Sequence, residues 1–125
     1  MQEALLALSL VLSQLTVELQ ELKKEEKTTN FIEYLAICES GNTPNIIHWN
    51  DKNITGYPSY GKYGYQPHTF LNFGKKYGLF PKEFSLKESM TLIMNGSLQD
   101  EITKRAIEDN QHRHWLNCWK KYKLT

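Results

Sequence analysis

Glu39 is the residue of this 125-residue chain whose position most clearly predicts chemistry. It closes a run in which Phe31, Leu35 and Ala36 recur at helical spacing, and Gly41 then stops helical continuation. Burial and the negative end of the helix dipole both disfavour an ionised carboxylate, so we expect the pKa of Glu39 to be raised. A carboxyl group that holds its proton near neutral pH can act first as a general acid and then as a general base.

Two segments around Glu39 carry a recognisable pattern. Residues 38–45 read Cys-Glu-Ser-Gly-Asn-Thr-Pro-Asn, and residues 58–70 read Pro-Ser-Tyr-Gly-Lys-Tyr-Gly-Tyr-Gln-Pro-His-Thr-Phe. Together they resemble the lytic transglycosylase and goose-type lysozyme superfamily. In that superfamily Glu-Ser-Gly ends the catalytic helix and is followed by Asn-Pro and a Gly-aromatic-Gln segment. The resemblance covers residues 31–70 and, more loosely, residues 114–118.

That resemblance implies a lysozyme-like fold with a sugar-binding cleft. It also implies an enzyme that cleaves the β-1,4 glycosidic bond between N-acetylmuramic acid and N-acetylglucosamine in peptidoglycan, with Glu39 as the catalytic residue. Protonating a glycosidic oxygen needs a carboxyl group with a raised pKa, which agrees with the position of Glu39. The expected partners are peptidoglycan glycan strands, and no cofactor is expected. We expect the protein in the cell envelope, either periplasmic or extracellular, or on a virion.

Asp51 decides between two reactions. It is the only acidic residue in the loop that follows Glu39, so it is the one candidate to position a water molecule for hydrolysis by an inverting route. A turn residue within Asn-Asp-Lys-Asn at 50–53 is the favoured alternative for Asp51. Lytic transglycosylation, in which the sugar's own hydroxyl group attacks, needs only Glu39. We therefore prefer a lytic transglycosylase over a hydrolytic muramidase.

The long loop after Glu39 is rich in residues that could contact a saccharide. Aromatic faces stack on sugar rings, and tyrosine hydroxyls form hydrogen bonds with them. Tyr60 and Tyr65 are the preferred aromatic candidates for the cleft. The full set of candidate substrate-binding residues is Ser40, Asp51, Tyr60, Gly61, Tyr63, Tyr65 and Gln66.

One position departs from the superfamily pattern. Gly64 stands where the pattern has Gln, and Gln66 follows two residues later. This difference favours an alternative in which the domain binds peptidoglycan with weak or no catalysis.

Cys38 and Cys118 are the only cysteines. Their spacing excludes a zinc ribbon or a thioredoxin-type motif, and both a disulfide and two separate buried thiols are compatible with it. A disulfide would close a loop of about 80 residues and stabilise the fold by about 4 kcal/mol in the loop-entropy model. The four histidines have no recognised metal-binding spacing, so no metal site is expected.

The N-terminal segment has the leucine spacing of a coiled coil. Residues at intervals of four and three form the a and d positions of three heptads: Met1, Leu5, Leu8, Leu12, Leu15, Leu19 and Leu22. This amphipathic helix could self-associate, bind a partner helix or pack on the domain. A third hypothesis for the protein follows, in which it is an assembly component of a phage particle or envelope complex that acts through this helix.

An export signal or a membrane helix fits the same segment less well. Glu3 stands where a signal peptide carries positive charge, and polar residues interrupt the apolar run from Ser9 onwards. We expect neither a conventional signal peptide nor a transmembrane span. An uncleaved, atypical export signal is the remaining alternative.

The elements that must position Glu39 form a mainly α-helical domain. We predict an N-terminal helix and short linker over 1–29 and a lysozyme-like domain over 30–125. The helix should end, and the linker follow, within residues 21–29, which include Thr28 and Thr29. Asn30 and Glu33 resemble a capping box at its start. Further helices are predicted at 67–76, 85–94, 97–109 and 112–122, with at most a small irregular hairpin in the loop. The net charge of +1 gives no footprint for nucleic acid.

Overall fold

The computed structural model describes residues 2–125, and the predicted seam position of Met1 lies outside the described residues. The fold is mainly α-helical with one two-stranded sheet, as the sequence predicted. The elements are α1 (Gln2–Ser40), β1 (Ile47–His48), α2 (Lys52–Thr55), β2 (Ser59–Tyr60), α3 (Pro67–Lys76), α4 (Leu86–Met90), α5 (Gly96–Glu108) and α6 (Leu116–Lys123), with 3₁₀ turns at Trp49–Asp51 and His112–Trp115.

The first helix runs without interruption through the predicted linker. Residues 28 and 29 are helical, so the predictions of a helix end at Thr28 and Thr29 and of a new helix capped by Asn30 are wrong. The reason is packing, because Thr28 and Phe31 are buried where α1 lies against α5 and α6. Burial of this face outweighs the modest helix propensity of the threonines. Asn30 is exposed and lies in the helix interior.

The two halves of α1 have opposite environments. Residues 2–27, the exposed half, are all exposed to solvent. The packed half, residues 28–40, carries the buried side chains Thr28, Phe31, Leu35 and Ala36. By length and composition α1 is also apolar enough to cross a membrane, since an 18-residue window has a mean hydropathy of 1.3 with none of it buried.

The later helices begin close to where the sequence predicted. Pro67 occupies the first turn of α3, and Ser85 and Glu88 form the reciprocal hydrogen bonds of a capping box at α4. α4 ends at Met90 instead of residue 94, because the next residues form turns that lead to the N-cap of α5 at Asn95. The predicted terminal helix begins as a 3₁₀ turn and becomes α-helical at Leu116.

The core lies between the packed half of α1 and the later helices. It is mainly aliphatic and aromatic, and its most buried large side chains include Phe31, Leu35, Tyr65, Phe70 and Ile102. Strands β1 and β2 form an antiparallel hairpin, in which Ile47 pairs with Tyr60 and His48 pairs with Ser59. This hairpin brings the loop that follows Glu39 back to the end of α1.

Candidate active site

Glu39 lies in the last turn of α1, as the sequence predicted. The helix stops because Gly41 and Asn42 both adopt left-handed backbone angles, with φ of 63° and 62°. Their amides donate to the carbonyl groups of Ile37 and Ala36. These bonds satisfy carbonyl groups that the helix end leaves unpaired, which fixes the terminus that carries Glu39.

Ser40 connects this terminus to the hairpin loop. Its hydroxyl oxygen lies 2.8 Å from the Lys62 carbonyl oxygen and 3.0 Å from that of Ala36. The same oxygen accepts a hydrogen bond from the Thr43 amide at 3.1 Å. Ser40 was predicted to bind substrate, and the structure assigns its hydroxyl to these backbone contacts.

A disulfide holds the other side of Glu39. Cys38 is joined to Cys118 with a Cα–Cα distance of 6.0 Å, so the bridge is present in place of two separate thiols. It ties the end of α1 to α6. Cys118 Sγ lies 3.2 Å from Glu39 Oε1. Because a disulfide sulfur has no proton to donate, this contact shields the carboxyl group without giving its charged form a hydrogen bond.

Gly64 faces the second carboxyl oxygen. A Cβ atom at this position would lie 3.2 Å from Glu39 Oε2, which is closer than ordinary contact. The backbone of Gly64 is left-handed, with φ of 66°. The position at which the superfamily pattern has Gln is therefore one where this chain needs glycine, because a side chain there would crowd the Glu39 carboxyl group.

Burial is the main cause of a raised pKa at Glu39, as predicted, since desolvation disfavours the carboxylate. Three charged or titratable neighbours modify this effect. Electrostatic interaction with His48 and Lys121 lowers the pKa of Glu39, whereas the negative charge of Asp51 raises it. Residues from β1, the following 3₁₀ turn and α6 therefore share one electrostatic environment with the end of α1.

A cavity of about 410 Å³ is lined by Ile47, His48, Trp49, Asn50 and Asp51. Its volume falls within the range of small-molecule sites. Two of its lining residues, His48 and Asp51, are also residues whose charges act on the pKa of Glu39, which does not itself line the cavity. Trp49 is 63% exposed there and can offer an aromatic face to a ligand.

A second cavity, of about 390 Å³, is more apolar but lies elsewhere. Phe31, Trp119 and Tyr122 are among its lining residues, where the middle of α1 meets α6. Phe31 precedes Glu39 by about two helical turns, so this cavity is roughly 12 Å along the helix from the carboxyl group. The lining of the cavity at 47–51 includes residues whose charges act on the pKa of Glu39, which makes it the more relevant of the two.

Two of the predicted sugar-binding tyrosines belong to the core. Tyr65 is 0% exposed and its hydroxyl lies 2.7 Å from Thr103 Oγ1. Tyr63 is 2% exposed and donates to Asp100 at 2.6 Å. Burial raises the pKa of both hydroxyl groups. The prediction that these rings line a sugar cleft is therefore wrong, because their aromatic faces are covered by protein.

Gly61 and Gln66 also have structural roles. Gly61 is buried, its amide donates to the Ile46 carbonyl, and a Cβ atom there would overlap Gln99. The Gln66 amide group donates to Ser59 Oγ at 2.7 Å and to the Tyr57 carbonyl at 3.1 Å. Its amide oxygen accepts from Thr55 Oγ1 at 2.8 Å. Gln66 thus braces the loop, and its contact with substrate stays a prediction.

The structure brings together Glu39 and Asp51 from the predicted set, and Tyr60 remains half-buried in β2. Sequence reasoning missed His48 and Lys121 as neighbours of Glu39. Lys121 is 82 residues further along the chain than Glu39. The signal for its approach was the cysteine pair, because Cys38 is next to Glu39 and Cys118 is three residues before Lys121. Within residues 2–125, no group of three His, Cys, Asp or Glu side chains is arranged to hold a metal ion.

Comparisons with known proteins identify no relative: no family model, no curated protein and no solved structure matches this chain.

Proposed function

We propose that this protein cleaves peptidoglycan glycan strands by lytic transglycosylation, with Glu39 as general acid and base, on a lysozyme-like fold. The observation that carries the proposal is the environment of Glu39. Its carboxyl group is half-buried at a helix terminus, has a raised pKa, and lies close to Gly64, where a side chain would crowd it. A carboxyl group with a raised pKa is what a general acid for glycosidic bond cleavage requires.

In the proposed reaction Glu39 donates its proton to the oxygen between N-acetylmuramic acid and N-acetylglucosamine. The bond from that oxygen to the anomeric carbon of the muramic acid breaks, and positive charge develops at that carbon. The resulting Glu39 carboxylate accepts a proton from a hydroxyl group of the same muramic acid, whose oxygen bonds to the anomeric carbon. The products are an anhydro sugar end and a free N-acetylglucosamine hydroxyl, and Glu39 regains its proton.

Hydrolysis is the second candidate, and Asp51 is the observation that favours it. Asp51 is half-buried and close enough to raise the pKa of Glu39. A carboxylate at that place could activate a water molecule for attack on the anomeric carbon. This route would yield a reducing sugar end in place of an anhydro end.

The disulfide supports an envelope or extracellular location for this activity. Disulfides persist in oxidising compartments and are rare in the reducing cytosol. The bridge between Cys38 and Cys118 is adjacent to the candidate acid, so the proposed site forms most stably where peptidoglycan is found.

Digestion of purified peptidoglycan tests the proposal. The full chain should release soluble muropeptides with anhydro ends, which mass spectrometry distinguishes from reducing ends. Glu39→Gln should lower the rate by about 10²- to 10⁴-fold, the contribution typical of a general acid. Glu33→Gln is the matched control, because Glu33 lies on the same helix and is exposed. It should retain full activity.

Asp51→Asn separates the two reactions. Anhydro products at a similar rate from this variant would support transglycosylation, whereas reducing ends that disappear in the variant would support hydrolysis. Binding of peptidoglycan without any soluble product from the folded chain would contradict catalysis and identify a binding module.

A further inference from the structure

We propose that the exposed half of α1 pairs with the same segment of a second copy of this chain, as a parallel, in-register coiled coil. The proposal is independent of the catalytic one. It starts from the leucine seam, defined as the six a and d positions in the described part of the helix, each 50–67% exposed: Leu5, Leu8, Leu12, Leu15, Leu19 and Leu22.

Nothing within residues 2–125 covers the seam, since residues 2–27 are all exposed. A helix of this kind gains little stability in water from propensity alone and depends on packing of its apolar face. Six leucines at heptad spacing provide such a face over three heptads.

Polar residues are excluded from the seam but not from the rest of the segment. None of the six a and d positions is polar, whereas nine polar or charged residues between positions 2 and 22 all fall at other heptad positions: Gln2, Glu3, Ser9, Ser13, Gln14, Thr16, Glu18, Gln20 and Glu21. This partition is what a helix-to-helix seam requires.

Charge complementarity favours a second copy in parallel register. With Leu19 at position a and Leu22 at position d, Glu18 falls at position g and Lys23 at position e. In a parallel pair, a g residue of one helix faces the e residue of the next heptad on the other helix. Glu18 of each copy would therefore face Lys23 of its partner, which gives two equivalent ion pairs in the dimer.

A lipid bilayer fits the segment less well, although α1 is long and apolar enough to span one. The stretch without charged residues, 4–17, is only about 21 Å long at 1.5 Å per residue. The hydrocarbon core is about 30 Å thick. Extending the span towards Leu22 would bury Glu18 and Glu21, whereas the leucine seam continues past both.

Matched pairs of substitutions test the seam with the full chain. Leu12→Glu with Leu19→Glu changes two seam positions that are 56% and 58% exposed. Leu10→Glu with Val17→Glu changes two positions outside the seam that are 66% and 52% exposed. All four residues lie outside the packed half of α1, so the disulfide-linked domain should fold in both variants, which near-ultraviolet circular dichroism can verify.

Sedimentation equilibrium should show that the unsubstituted chain and the Leu10/Val17 variant associate, while the Leu12/Leu19 variant is monomeric. The dissociation constant should rise by more than about 100-fold in the seam variant, because each copy places two carboxylates where leucines were buried. A monomeric unsubstituted chain, or equal loss of association in both variants, would overturn the proposal. Monomers that float with phosphatidylcholine vesicles would identify a membrane as the occupant and also overturn it.

Charge reversal tests the parallel register. Glu18→Lys and Lys23→Glu should each weaken association by about 2- to 5-fold, since exposed ion pairs contribute modestly. The double variant exchanges the two charges and should restore the original affinity. Failure of the double variant to restore it would contradict a parallel, in-register pair.

Discussion

The two halves of α1 share one uninterrupted helix but are held by different forces. The packed half is fixed by burial of Phe31 and Leu35, by the disulfide at Cys38 and by the backbone bonds that close its last turn. The exposed half has the leucine seam and no covering partner within the described chain.

The sequence therefore determines the two halves in different ways, through tertiary contacts in the packed half and through residue spacing in the exposed half. In the packed half, the identity of a side chain matters through what the rest of the chain brings against it, as Gly64 and Cys118 do at Glu39. In the exposed half, the predictions come from the spacing of the leucines and from the charges of Glu18 and Lys23 beside them. We therefore expect changes in one half to leave the other unaffected.

Removing the disulfide should have the largest effect on stability. Cys38→Ser with Cys118→Ser should lower the free energy of unfolding by about 4 kcal/mol, because the bridge closes a loop of about 80 residues. It should also lower peptidoglycan release, since α6 no longer holds the end of α1. Chemical denaturation and activity assays measure both effects.

The same variant tests the independence of the two halves. At denaturant concentrations where the domain remains folded, the mass of this variant in solution should match that of the unsubstituted chain. Loss of association together with loss of the disulfide would show that the seam depends on the packed half.

A smaller effect is expected at Gly64, and Gly78 provides a matched control. Both glycines have left-handed backbones, with φ of 66° and 74°, so replacement by alanine should cost each about 1–2 kcal/mol in the free energy of unfolding. Only at Gly64 would the new Cβ atom crowd the Glu39 carboxyl group, whereas Gly78 has open space. Gly64→Ala should therefore lower peptidoglycan release and Gly78→Ala should not. Equal activity of the two variants would argue against the space at Gly64 being used by substrate.

Local signals in the sequence predicted the elements where local interactions decide. Pro67 marked the start of α3, Ser85 with Glu88 marked the start of α4, and Gly41 marked the end of α1. Asn30 with Glu33 gave the same kind of signal at a false helix start. The signal failed there because burial of Thr28 and Phe31 continued the helix through it.

The candidate site was predictable only in part. The raised pKa of Glu39 followed from its place at the end of a buried helix face. The burial of Tyr63 and Tyr65 did not follow from the sequence, because an aromatic residue in a glycine-rich loop can face either solvent or the core. Hydrogen bonds to Asp100 and Thr103, both distant in sequence, hold these two side chains in the core. His48 and Lys121 reach Glu39 only through tertiary packing.

Catalysis by Glu39 depends most directly on the raised pKa of its carboxyl group. A raised pKa in the folded state means that folding favours the protonated form, so this group contributes stability below its unfolded pKa and the contribution is lost as pH rises through the folded pKa. Nuclear magnetic resonance of the Glu39 side-chain carboxyl carbon, assigned by its absence in Glu39→Gln, measures that pKa in the folded chain. The account predicts a midpoint above the ordinary glutamate value of 4.5, and a midpoint at or below that value would contradict it.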